Sequence, residues 1–92
     1  MNELVEIDDR MSLLQYCLVR VVSLNQPLGS YDGWQLNQRA PRIGDVGTIV
    51  EVLAAPDLRC AYVVENADQR GVTVWLGEFS ADELEVVVRT ES

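Results

Sequence analysis

The amino-acid sequence predicts an all-β fold, a small barrel of five short strands. Three observations carry that prediction. Short β-branched stretches recur along the 92-residue chain, bounded by Gly, Pro, Asn and Asp. One long loop follows the first stretch, and one helical turn precedes the last. A chain this short builds a single core, and closing the sheet on itself protects strand edges that such a core leaves uncovered.

The elements follow in order. Tyr16–Leu24 (YCLVRVVSL) is apolar and β-branched, which predicts the first strand; residues 11–15 either extend it or form a separate short element. Asn25–Arg42 (NQPLGSYDGWQLNQRAPR) holds Pro27, Gly29, Gly33 and Pro41 and keeps no period of 2 or 3.6, so it reads as a structureless loop. A loop of that length in a small domain is often functional. Thr48–Ala54 and Cys60–Glu65 predict the second and third strands, joined as a hairpin through a four- or five-residue loop.

Asn66–Gly71 (NADQRG) is a polar turn, and Val72–Leu76 (VTVWL) predicts the fourth strand. Gly77–Glu83 (GEFSADE) predicts one helical turn, with Ser80 as N-cap and Glu83 three residues on as its capping-box partner. Leu84–Arg89 predicts the fifth strand. This order predicts a strongly bent barrel of SH3 type. The domain is expected over residues 13–90, behind an acidic N-terminal arm at 1–12.

Charge is the strongest compositional fact. The net charge is −8 with 15 acids, and all seven bases are arginine. Residues 10–44 carry four arginines against Asp32 alone, whereas both flanks are acidic. An acidic surface opposes phosphate binding within a Debye length, so nucleic acid is not an expected partner. A basic protein partner is. A hydrophobic fraction of 48% suits a globular chain. No apolar run reaches the roughly 18–20 residues that span a bilayer, and the acidic opening MNELVEIDDR is unlike a signal peptide, so a cytoplasmic protein without membrane insertion is expected.

The residue types argue against catalysis. There is no histidine, the usual general base near neutral pH and the usual partner of a cysteine nucleophile. The adjacent acids Asp8–Asp9 and Asp82–Glu83 read as solvated charge. Cys17 and Cys60 read as small buried hydrophobes, and two cysteines without histidine fall short of the about four ligands of a structural zinc. Neither an enzyme, a metal nor a cofactor is expected.

Arg42–Leu53 (RIGDVGTIVEVL) joins a glycine turn to a strand. It lacks the lysine and following helix of a phosphate-binding loop. Gly44, Asp45 and Gly47 read as turn structure: the glycines supply positive φ, and Asp45 accepts from nearby backbone N–H groups. The candidate contact residues lie just upstream, at Tyr31, Trp34, Arg39 and Arg42. Loop aromatics and arginines are the types enriched at interface hot spots. For Trp34 and Arg39 a structural alternative stands beside this, in which Trp34 folds back over a barrel end and Arg39 pairs with a local acid. The sequence leaves the face of Trp75 open.

From Gly44 onward the chain resembles a family of small bacterial proteins, the domain of unknown function numbered 4926. The matching residues are Gly44-Asp45-Val46-Gly47-Thr48-Ile49-Val50-Glu51-Val52, then Tyr62, Val64, Glu65, Asp68, Gly71 and Thr73, and lastly Glu83-Leu84 and Val87. The resemblance implies an SH3-like barrel and, for some relatives, neighbouring toxin or mobile-element genes; it implies no activity. The chain departs from the pattern at Asn66, where an aromatic is usual, at Trp75, where a small residue is common, and in its long loop. Shorter segments are similar to SH3-like accessory subunits of photosynthetic complexes and to KOW motifs.

The expectation is thus a non-enzymatic protein-interaction module, of which an antitoxin- or immunity-type small acidic protein is one form. An accessory subunit of an electron-transfer complex is the alternative, with a KOW-like nucleic-acid binder ranked below it. Homodimerisation through open strand edges is a further expectation.

Overall fold

The computed structural model describes residues 13–55 and 58–87. It is all-β: β1 (Leu18–Val21), β2 (Val46–Ala55), β3 (Leu58–Ala67), β4 (Thr73–Ser80) and β5 (Leu84–Val86), with 3₁₀ turns at Leu28–Tyr31 and Ala81–Glu83. The strands form one sheet in the order β4-β3-β2-β1-β5, and every pairing is antiparallel. The arm expected at residues 1–12 lies outside the described residues.

The β2–β3 pairing contains a bulge. Ile49 faces Val64, but Glu51 already faces Val63, so β2 spends one extra residue at Val50. An extra residue flips the alternation of side chains. Gly47 and Ile49 face inward before the bulge, and Val52 packs against the core after it.

On β4 the inward positions are Trp75, Gly77 and Phe79. The Phe79 ring stacks on Tyr31 at 4.9 Å and lies 5.5 Å from Trp75. A Cβ on Gly77 would stand 2.8 Å from the Tyr31 carbonyl oxygen, so the bare glycine is what admits the loop's tyrosine to the sheet. Leu13, Val19, Val21, Ile49, Tyr62, Val64 and Leu84 complete this core, with Cys17 and Cys60 partly buried against it.

Several boundaries differ from the sequence expectation. β1 is shorter, because residues 14–17 close a turn through Cys17 N–H to the Leu14 carbonyl at 3.1 Å. The second and third strands reach Ala55 and Leu58, nearer each other than a four- or five-residue loop allows. β4 runs on through Gly77–Ser80, residues that the sequence assigns to the helical turn. Phe79 decides this: its inward place beside Trp75 rewards continued extension over helix. The turn is therefore only Ala81–Glu83, and it keeps the Ser80–Glu83 capping box. β5 ends at Val86.

Residues 25–42 are not structureless. Besides their 3₁₀ turn, they are tied to the sheet at four places, and these ties build the candidate site.

Candidate functional site

The first tie is a buried carboxylate. Glu83 is fully buried at the end of the second 3₁₀ turn. It accepts from Ser80 N–H at 2.8 Å, Asn25 N–H at 2.8 Å, the Gln26 side-chain amide at 3.1 Å and the Tyr31 hydroxyl. No cation pairs with it among the described residues. Burial pushes the Glu83 carboxyl upward, but the donors aimed at it outweigh that and hold it below the ordinary carboxylate value. Burial and the bond to Glu83 push the Tyr31 phenol to about 12.

The second tie is Tyr31 itself, fully buried against Phe79. The third covers the outer edge of β4. Gln38 N–H donates to the Val74 carbonyl at 2.7 Å, the Gln38 side chain donates to the Thr73 carbonyl at 2.7 Å, and Leu76 N–H donates to the Asn37 side-chain oxygen at 2.9 Å. A strand edge that would otherwise present unpaired backbone groups is capped by the loop.

The fourth tie is Asp45. Its carboxylate receives both terminal nitrogens of Arg39, at 2.8 and 3.2 Å, the Trp75 indole N–H at 2.8 Å and the Arg42 backbone N–H at 3.0 Å. Burial raises the Asp45 carboxyl, and these donors, Arg39 foremost, more than reverse the shift.

Between the ties the chain protrudes. Gln35 N–H closes a turn on the Asp32 carbonyl at 3.0 Å, Asn37 N–H bonds the Asp32 carboxylate at 3.1 Å, and Gln35 sits at φ +57°. A left-handed conformation at a non-glycine residue is uncommon and is held here by the surrounding bonds. The turn presents Trp34 and Leu36 to solvent, and the 3₁₀ turn presents Leu28; their exposures are 47%, 56% and 54%. Exposed apolar side chains on an anchored loop form a platform suited to contact.

The candidate residues thus divide. Tyr31, expected at the contact surface, belongs to the core, because Gly77 leaves room for its backbone and Cβ and its hydroxyl donates to the Glu83 carboxylate. Arg39 is engaged by Asp45 through a two-pronged ion pair. Trp34 is exposed. Arg42 is exposed too, and its side chain makes no hydrogen bond or ion pair among the described residues. Trp75, whose face the sequence leaves open, is fully buried.

Gly44 has φ +99°, a conformation that favours glycine, and Asp45 closes its turn on Arg42. Gly47 corrects the expectation of positive φ. It is needed for closeness instead, since a Cβ there would stand 2.6 Å from the Glu65 carbonyl oxygen. Asn66 uses its side chain to cap the Val46 carbonyl at 2.7 Å.

Sequence reasoning missed two contacts that shape the site. The Asp45–Trp75 bond joins residues thirty positions apart, which no local pattern reports. Glu83, read with Asp82 as solvated charge, is instead fully buried: its capping box was legible, but its further donors come from the loop.

The family model described as Domain of unknown function (DUF4926) matches residues 20–86. The chain belongs to the DUF4926 family. The match begins well before Gly44, within β1, and runs through the loop and every later strand of this DUF4926 chain. No curated protein and no solved structure matches it. Among its described residues no helix is long and apolar enough to cross a membrane.

Proposed function

We propose that the chain is a non-enzymatic protein-interaction module that meets its partner with the loop platform around Trp34. The observation that carries this reading is the platform's construction. Four ties hold residues 25–42 to the sheet, yet Leu28, Trp34 and Leu36 remain exposed between them. Holding an aromatic outward on an ordered turn lowers the entropy cost of binding.

Other features agree. The strand order β4-β3-β2-β1-β5, with a 3₁₀ turn before β5, supports an SH3-like barrel. The two carboxylates most engaged by donors, Asp45 and Glu83, have their lone pairs occupied, which leaves little capacity for general-base work. With Arg39 neutralised by Asp45, the loop offers phosphates little beyond Arg42. A net charge of −8 favours a basic partner and faster encounter with it. Inhibition of a basic protein in the cytoplasm, as an antitoxin or immunity protein does, is the specific form this reading takes.

Immobilised protein should capture a specific protein from lysate, identified by mass spectrometry, and the W34A/L36A double variant should lose it while keeping its fold. Undiminished capture by the double variant would reject the platform.

A further inference from the structure

Within the same loop, an open pocket of about 300 Å³ is lined by Leu28, Gly29, Asp32, Asn37, Arg39 and Ala40. Leu28 and Ala40 supply its apolar wall. Its two charged residues are not equivalent. The Arg39 guanidinium donates to both Asp45 carboxylate oxygens and to the Ala40 carbonyl, so its charge is compensated within the protein. The Asp32 carboxylate has no such partner. One oxygen accepts from Asn37 N–H at 3.1 Å; the other receives no hydrogen bond, and no cation pairs with it among the described residues.

The pocket therefore combines an aliphatic wall with one uncompensated negative charge. That is the complement of a long side chain with an apolar stem and a cationic head. We propose that the pocket receives an arginine or lysine side chain of the protein partner, its stem against Leu28 and Ala40 and its head on the free oxygen of Asp32. This rests on reading the loop as the contact face, and it specifies what the partner presents there. The chain's net charge of −8 acts in the same sense at longer range.

The test is a ¹H–¹⁵N titration of the full chain with N-acetyl-arginine methylamide, its uncharged citrulline counterpart and the glutamate analogue. The arginine compound should shift the amides of Gly29, Asp32, Asn37 and Ala40 saturably, and the other two should not. D32N retains an acceptor for Asn37 N–H, so its spectrum should otherwise superimpose while its affinity falls about tenfold. L28A, with the charge intact, should weaken binding less. Equal binding of citrulline, preference for glutamate, shifts outside the pocket or no shift at all would each overturn the proposal. If the pocket fails but W34A/L36A still loses capture, the loop reading survives without it. If capture also persists, both are wrong.

Discussion

The Trp75 indole N–H donates to the Asp45 carboxylate at 2.8 Å, which fastens the turn before β2 to the first half of β4. The same carboxylate clasps Arg39 at the end of the long loop. One short acid therefore joins three parts of the fold that are distant in sequence.

Removing it should be costly. D45A leaves the indole N–H of a fully buried tryptophan without an acceptor and Arg39 without its counter-charge. We expect a loss of about 2–4 kcal/mol, read as a lower urea midpoint at unchanged slope. D45N keeps one acceptor for Trp75 and should lose less. Equal midpoints for wild type and D45A would mean that the network contributes nothing.

Acid should weaken the fold by a defined route. Asp45 and Glu83 are held below their ordinary values of 3.8 and 4.5 when folded, so within that range the unfolded chain binds more protons. Their contribution is complete above the ordinary values and is lost as pH falls through the lower, folded ones. Unfolding free energy measured from pH 6 downward should begin to drop near 4.5, and E83Q should flatten the profile. A wild-type profile no steeper than that of E83Q would contradict this.

Alkali acts in the opposite sense through Tyr31. Its folded pKa of about 12 exceeds the ordinary 10.0, so its contribution is complete below pH 10 and fades between 10 and about 12. Burial raises the Tyr62 phenol as well, so phenolate absorbance should show two late-titrating tyrosines, and Y31F should remove the one near 12 while leaving the other. A component near 12 that persists in Y31F would contradict the assignment to Tyr31.

The two glycines of the turn should respond differently. G44A meets open space but must hold φ +99°, at a cost of about 1 kcal/mol. G47A would thrust a methyl group to 2.6 Å from a β3 carbonyl, so β2 and β3 must part, at a cost of about 1–3 kcal/mol. Urea midpoints that rank G47A as the milder change would contradict the close approach.

What was legible in the sequence was what neighbouring residues decide. The turn at Gly44 and Asp45, the capping box of Ser80 and Glu83, and the β-branched centres of the strands all rest on local chemistry. The inward place of Tyr31 does not. It depends on Gly77, a residue that reads as a turn former when seen alone and serves here as a gap in the β4 surface. The anchoring of residues 25–42 was hidden for a related reason: Asn37 and Gln38 bond strand backbone across some 35 positions, and such bonds leave no periodicity.

The central claim is that the loop platform meets a protein partner. A photo-reactive residue placed at position 34 or, for comparison, at Glu85 on β5 tests it most directly, with cross-linked products identified from cells by mass spectrometry. A discrete adduct with one basic protein should form from position 34 and none from position 85. An adduct from position 85 with none from position 34 would contradict it.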